Sequence, residues 1–267
     1  MNYLATNLIN YVKCITTALK NADFILTGAG SGLSAASGIL YDDSDTFTNW
    51  FPGYYERYGL RTITEAAFYP FRTREEYYAY WTRHIAAIRY TQPAGKPYLD
   101  LYRILNRKDY FILTTNTDGQ FLKAGFPPEK LCTPQGDYAY FQCSRPCNDE
   151  VYHNEHMIKE ILSHIHNSDF AIQTGYIPRC PQCGSPLIPN IRNHETFVEK
   201  PWMETYRKMP DLLKAQKGKN LLLLELGVGY NTPAMIRYPF ELLALQRKNT
   251  ELIRINLNDD TISLLSG

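Results

Sequence analysis

The chain has 267 residues, a formal charge of +1 and an ordinary apolar fraction of 44%. That length suits one large domain, or one domain carrying a smaller insert, and the near balance of charge offers no argument for a nucleic-acid partner. No apolar run approaches the roughly 18 residues that suggest a membrane span, and the first twenty residues lack the basic leader and long apolar core of a signal peptide. The expectation is a cytoplasmic enzyme with no membrane and no nucleic-acid partner.

In chain order, Leu4, Leu8, Val12, Ile15 and Leu19 recur at helical spacing and predict an amphipathic helix over 4–20. Phe24-Ile25-Leu26 reads as a short buried strand. A loop rich in glycine and small residues follows from Gly30 to Ile39, and Leu33 to Ile39 can begin a helix. The stretch 45–103 is dense in aromatic residues and charge, and its many tyrosines suggest a partly aromatic-lined surface. Helices are expected from Glu75 towards Pro93 and from Lys96 to Leu105. Tyr110 to Thr114 predicts a second buried strand, with Thr115-Asn116-Thr117-Asp118-Gly119 just past its end. Residues 137–200 change character: they hold four of the six cysteines, five of the six histidines and many turn residues. A helix over 201–217, a strand over 220–226, a loop at Gly227-Val228-Gly229, a helix over 240–247 and a strand over 251–256 complete the reading. Short apolar strands alternating with helices imply an α/β fold, a mostly parallel sheet with helices on both faces.

In open parallel sheets, ligands collect at the carboxyl ends of strands, and three small-residue loops fall there: 30–39, 115–119 and 227–232. Backbone N–H groups at the first can cradle a diphosphate; a glycine-rich turn without a ligand explains it equally well. The dinucleotide fingerprint G-x-G-x-x-G is not met, because Leu33, Ser34 and Ala35 follow Gly32, so an ordinary nicotinamide oxidoreductase fits poorly. Asn116 and Asp118 suit either turn chemistry or a ligand. Glu225 and Asn231 are weaker candidates, suited to capping. Cys143 and Cys147, with Cys180 and Cys183, form two close pairs whose spacing suits a closed, structural zinc site. Reduced cysteines in a core are the competing reading, and His153 or His156 are substitute ligands. Cys132, near the inferred site, has no base beside it in sequence.

These stretches, taken together over residues 20–260, resemble the sirtuins, NAD-dependent protein deacylases and ADP-ribosyltransferases. Gly30-Ser-Gly-Leu-Ser-Ala-Ala-Ser-Gly-Ile39 is similar to their NAD loop, and Thr114-Thr-Asn-Thr-Asp118 to their Thr-Gln-Asn-Ile-Asp motif. The cysteine pairs fall in the family's order, Gly227-Val-Gly resembles its Gly-Thr-Ser loop, and Ile255-Asn256 its Ile-Asn. The resemblance implies a Rossmann-like NAD-binding domain assembled from 1–40, 104–136 and 201–267, a helical module at 41–103 and a zinc-binding module at 137–200. It implies NAD contacts from Gly30, Ser31, Gly32, Ser34, Gly38, Thr115, Asn116, Asp118, Gln135, Gly227, Gly229 and Asn256, with Asn116, Asp118 and Gln135 in the catalytic roles.

The departures carry the functional expectation. The family's Pro-Asp-Phe-Arg segment would fall at Leu40-Tyr-Asp-Asp43, and its arginine is absent. Gln135 stands where the family has its catalytic histidine. Glutamine has no useful acid–base pKa, although it can still hydrogen-bond a ribose. Loss of that base favours transfer of ADP-ribose to a protein, with release of nicotinamide, over deacylation. The pattern is similar to the microbial branch linked to macrodomain proteins. That resemblance implies a lipoylated carrier protein related to the glycine-cleavage H protein as acceptor, with a macrodomain hydrolase acting on the same substrate. A weak deacylase and a catalytically silent NAD sensor or scaffold are the alternatives.

Overall fold

A computed structural model describes residues 2–257 and 264–266, and among them a six-stranded sheet forms the centre of the molecule. Its strands are β1 (Phe24–Ala29), β2 (Tyr110–Thr114) and β3 (Leu131–Cys132), then, after the insertion of β4 (Gly136–Cys143), β5 (Val151–His153) and β6 (Leu187–Ile191), the strands β7 (Leu221–Leu226), β8 (Thr250–Ile255) and β9 (Leu264–Ser266). The spatial order is β3-β2-β1-β7-β8-β9, parallel throughout except for β9. Strands β1, β2 and β7 are buried along their whole length. This is why they read as mostly apolar runs, interrupted in β7 by Glu225, and not as alternating ones.

Successive side chains of these strands enter opposite cores. Ile25, Ile112, Leu222, Leu224 and Ile253 meet Tyr98, Leu101, Leu105 and Phe121 on one face. Leu26, Phe111, Leu113, Leu221, Leu223 and Leu252 meet Ile236, Phe240 and Ala244 on the other. The layered α/β architecture expected from the sequence is therefore present.

The sequence reading departs from the structure in local places. The helix expected at 33–39 is the short Ser31–Ala35, closed by a turn in which Gly38 takes a positive φ of 88°. The helix expected over 201–217 is two, Lys200–Arg207 and Met209–Ala215; Pro210 has no N–H to continue the first. The tyrosine-rich stretch is only in part a surface: Tyr55 and Phe68 are exposed, but much of it is core. Tyr54, Tyr78, Tyr80, Trp81 and Tyr98 are among the most buried side chains.

Strand β4 pairs antiparallel with β5 and β6 in a separate three-stranded sheet within 137–200. Its Tyr138 and Phe141 share a core with Phe51, Tyr54, Tyr80 and Trp81 from the helical stretch. The helix Arg74–Ile85 continues as a wide π turn, Ala86–Thr91. From that turn Arg89 reaches Asp137 (2.7 Å) and Tyr90 donates to Asn154 Oδ1 (2.6 Å), which ties the helices to the small sheet.

Candidate functional site

The strand order reverses direction about β1, so the crevice for a ligand should open beyond the carboxyl ends of β1 and β7. A cavity of about 260 Å³ lies there. One wall is made of strand-end loops: Gly30 and Ser31, Thr115 and Asn116, Val228 and Gly229. The facing wall comes from distant parts of the chain: Ile63, His84, Tyr138, Ile191 and Arg192. Gln135, Tyr41 and Asn231 also line the space.

The loop wall is held together by backbone. Gly30 N–H donates to Leu226 O (3.0 Å) and Gly32 N–H to Gly227 O (2.9 Å). A Cβ on Gly32 would stand 2.7 Å from Gly227 Cα, and one on Gly227, whose φ is +59°, 2.3 Å from Leu33 N. The room that a side chain at Gly32 would need is thus occupied by the second loop. The glycines let the two loops touch. Gly38 lies outside this contact: it is exposed, and nothing stands within 4 Å of the Cβ it lacks.

Asn116, half-buried at the cavity, donates from Nδ2 to Gly30 O (2.9 Å) and to Tyr98 Oη (3.1 Å). Beneath it, Tyr98 Oη meets Ser34 Oγ at 3.1 Å, and Ser34 Oγ donates to Asp118 Oδ2 at 2.5 Å. Asp118 also accepts from Gln120 N–H (3.0 Å). Asp118 and Ser34 are buried and support the wall from behind; neither is among the residues that line the cavity. Burial raises the Asp118 pKa, while the Ser34 hydroxyl and the Gln120 N–H oppose that rise.

Gln135 is half-buried in the cavity and its Nε2 donates to Met235 Sδ (2.9 Å). Its backbone carbonyl accepts from the backbone N–H of Arg192 (3.0 Å). His84, which sequence reasoning passed over, lies in the opposite wall. It is fully buried, its Nδ1 sits 3.0 Å from Tyr80 Oη, and its Nε2 has no partner. Burial drives its pKa down to about 3. Its ring is enclosed by Phe51, Trp81 and Tyr138. Arg192 was also missed: it is exposed at the cavity, with Nη2 on Glu199 (2.6 Å) and Nε on Pro134 O (3.3 Å). No local motif announces either residue, because only the fold brings 84 and 192 to the same space.

Asn256 belongs to a neighbouring cavity of about 510 Å³, largely apolar, which it shares with Gly32, Ala35 and Gly227. Its Nδ2 donates to Val228 O (3.1 Å) and so braces the third loop. Glu225 caps nothing; it is fully buried and paired with Arg254 (2.5 and 3.1 Å). Cys132 is no reactive thiol, since burial pushes it up to about 12.

The sulfurs of Cys143, Cys147, Cys180 and Cys183 lie within 4.8 Å of one another. Cys143 and Cys183 are 3.5 Å apart, and Cys147 and Cys180 are 3.6 Å apart. Metal–sulfur bonds of about 2.3 Å in a tetrahedron require sulfur–sulfur edges of about 3.8 Å, so the four fit zinc and leave no open position for catalysis. His153 and His156 are outside the cluster.

No protein-family model matches the chain. Among solved structures it resembles a sirtuin studied for substrate affinity (19% identity, TM-score 0.60, covering 94% of this chain and 91% of that one). It also resembles a Sir2 homologue in complex with NAD (16% identity, TM-score 0.62, covering 95% and 86%). The fold is therefore that of the sirtuins. Among curated relatives, the chain is 31% identical over 260 residues to the "Protein ADP-ribosyltransferase" of Staphylococcus aureus, covering 97% of this chain and 81% of the relative. It is 32% identical over 257 residues to the "Probable bifunctional ADP-ribose hydrolase/ADP-ribosyltransferase" of Fusarium oxysporum f. sp. cubense, and spans 42% of that longer protein. The chain belongs to the sirtuin-type protein ADP-ribosyltransferases, which are NAD-dependent enzymes.

Proposed function

We propose that the cavity at the ends of β1, β2 and β7 binds the nicotinamide half of NAD and that the enzyme transfers its ADP-ribosyl group to a lipoylated carrier protein similar to the glycine-cleavage H protein. NAD supplies the ADP-ribosyl group and, in nicotinamide, a leaving group that departs with the bonding electron pair. Gly30, Ser31, Thr115 and Gly229 would border the donor, and Asn116 and Gln135 would hold its ribose. Asp118 and Ser34 keep that wall in place from below. The joined loops at Gly32 and Gly227 are a preformed concavity, which supports the assignment. A cytoplasmic setting suits four reduced cysteines gathered for a metal.

One observation carries transfer over deacylation: the cavity wall offers no general base at neutral pH. Gln135 cannot take a proton. Among the described lining residues the side chains able to titrate are Tyr41, His84, Tyr138 and Arg192. His84 is held down at about 3, and burial pushes Tyr138 up to about 12 and Tyr41 well above its ordinary value. Guanidinium stays protonated. A reaction that needs little proton abstraction from its acceptor suits such a site. The hydrolase named in the Fusarium relative supports a linked macrodomain enzyme that removes the modification.

Incubation of the enzyme with NAD and a lipoylated carrier, followed by intact-mass spectrometry, tests the reading. The expected product is the carrier bearing one added ADP-ribose, formed slowly or not at all on the unlipoylated carrier. Rapid deacylation of an acylated peptide with an unmodified carrier would overturn it.

A further inference from the structure

We propose that Tyr98 is a positioning residue that turns the Asn116 amide so that only its carbonyl oxygen is offered to the cavity. The argument rests on the direction of each hydrogen bond in a buried chain. Gly30 O is a carbonyl and can only accept, so the group of Asn116 that faces it, 2.9 Å away, is the NH2. At the other end Asp118 accepts at both oxygens, Oδ1 from Gln120 N–H and Oδ2 from the Ser34 hydroxyl at 2.5 Å. Ser34 Oγ, having spent its hydrogen, accepts from Tyr98. Tyr98 Oη, having spent its own, accepts the second hydrogen of Asn116 Nδ2 at 3.1 Å. The order of donation is Asn116 to Tyr98 to Ser34 to Asp118, and each member has one role open to it.

Both Asn116 amide hydrogens are consequently turned into the protein, one on Gly30 and one on Tyr98. What the amide presents to the cavity is Oδ1. The group that Asn116 holds in the reaction must then carry a hydrogen, as a hydroxyl does; a bare carboxylate would meet an oxygen with nothing to donate. Tyr98 touches no part of the cavity. It is fully buried, packed edge-on against Phe121 at 4.8 Å, and it acts through Asn116. This deepens the transfer reading of the site and, in its kinetic arm, rests on it.

Tyr98→Phe keeps the ring and removes the hydroxyl. In the full-length protein labelled with nitrogen-15, the Asn116 side-chain amide should exchange with water at least tenfold faster in Tyr98→Phe than in wild type, with the other asparagine side chains unaltered. An unchanged Asn116 amide would overturn the proposal whatever the enzyme does. Kinetically, kcat for nicotinamide release should fall about tenfold, the effect of one lost hydrogen bond, while KM for NAD stays within twofold. Tyr98→Phe added to Asn116→Ala should cost nothing further, because the group it positions is gone. Fully additive losses would place the action of Tyr98 elsewhere and sink the idea. Absence of wild-type turnover would count against the transfer reading alone, since the amide signal still decides the role of Tyr98.

Discussion

The large sheet and the small one are stabilised in different ways, and the site lies between them. The six-stranded sheet buries both faces under helices, and its core is closed by branched apolar side chains on either side. The three-stranded sheet has one short flanking strand, β5, whose residues are half-buried or exposed. Its apolar residues share a core with the helical stretch, and its far end is gathered around four sulfurs. The first can stand on its own burial, while the second depends on neighbours and on a metal. The cavity takes its backbone-built wall from the first and much of its side-chain wall from the second and its attached helices.

The largest expected effect breaks the weaker partner. Zinc bound by four thiolates contributes folding free energy directly, so Cys180→Ser with Cys183→Ser should abolish the roughly one zinc per chain and lower the melting temperature by about 10 °C or more. Elemental analysis and calorimetry read this together. A variant that keeps a full complement of zinc would show that the four cysteines are not the ligands.

A smaller effect sharpens the contrast from the other side. Gly32→Val forces a branched side chain into a space where even a Cβ stands 2.7 Å from backbone. The two loops must separate, and NAD affinity should fall by at least about tenfold while zinc content stays whole. Equal affinity by calorimetry would detach the loop pair from cofactor binding.

These walls also differ in how far the sequence disclosed them. Gly30, Gly32, Asn116 and Gly227 stand out because each follows a strand that is a mostly apolar run, and strands buried on both faces advertise themselves. The facing wall is drawn from Ile63, His84, Tyr138 and Ile191, residues that share no local pattern. Strand β4 was hidden because it opens on Gly136 and Asp137, turn residues, and ends on Cys143 of the first cysteine pair, so the segment reads as part of a turn-rich metal module. Tyr98 looked like one tyrosine in a crowded stretch; its role exists only through Asn116 and Ser34, which lie 18 and 64 positions away.

His84 gives the side-chain wall a pH signature. Burial lowers its pKa to about 3 from the ordinary value of 6.5, so the unfolded chain binds a proton below about 6.5 that the folded chain refuses. Stability tied to the neutral ring is complete above that pH and is lost as pH falls towards 3. His84→Phe preserves an aromatic ring among Phe51, Trp81 and Tyr138. Between pH 6 and pH 4 the variant should lose less stability than wild type, by up to about 1.4 kcal/mol per pH unit. Parallel denaturation profiles for the two proteins would mean that the ring titrates normally and is open to water.

Gly38 separates backbone strain from crowding within a single loop. It resembles Gly32 in sequence, six positions away in the same small-residue run, and the family resemblance gives both to NAD. In the structure their reasons for being glycine are opposite. Gly32 lacks room for a Cβ, whereas Gly38 has nothing within 4 Å but holds a φ of +88°. Alanine at 38 should therefore meet no neighbour and cost only the left-handed conformation, about 1 kcal/mol. That corresponds to a fall in melting temperature of about 3 °C, with NAD affinity within twofold of wild type. If the affinity instead drops as far as in Gly32→Val, Gly38 touches the dinucleotide, and the cradle extends beyond the paired loops along the whole turn to Ile39.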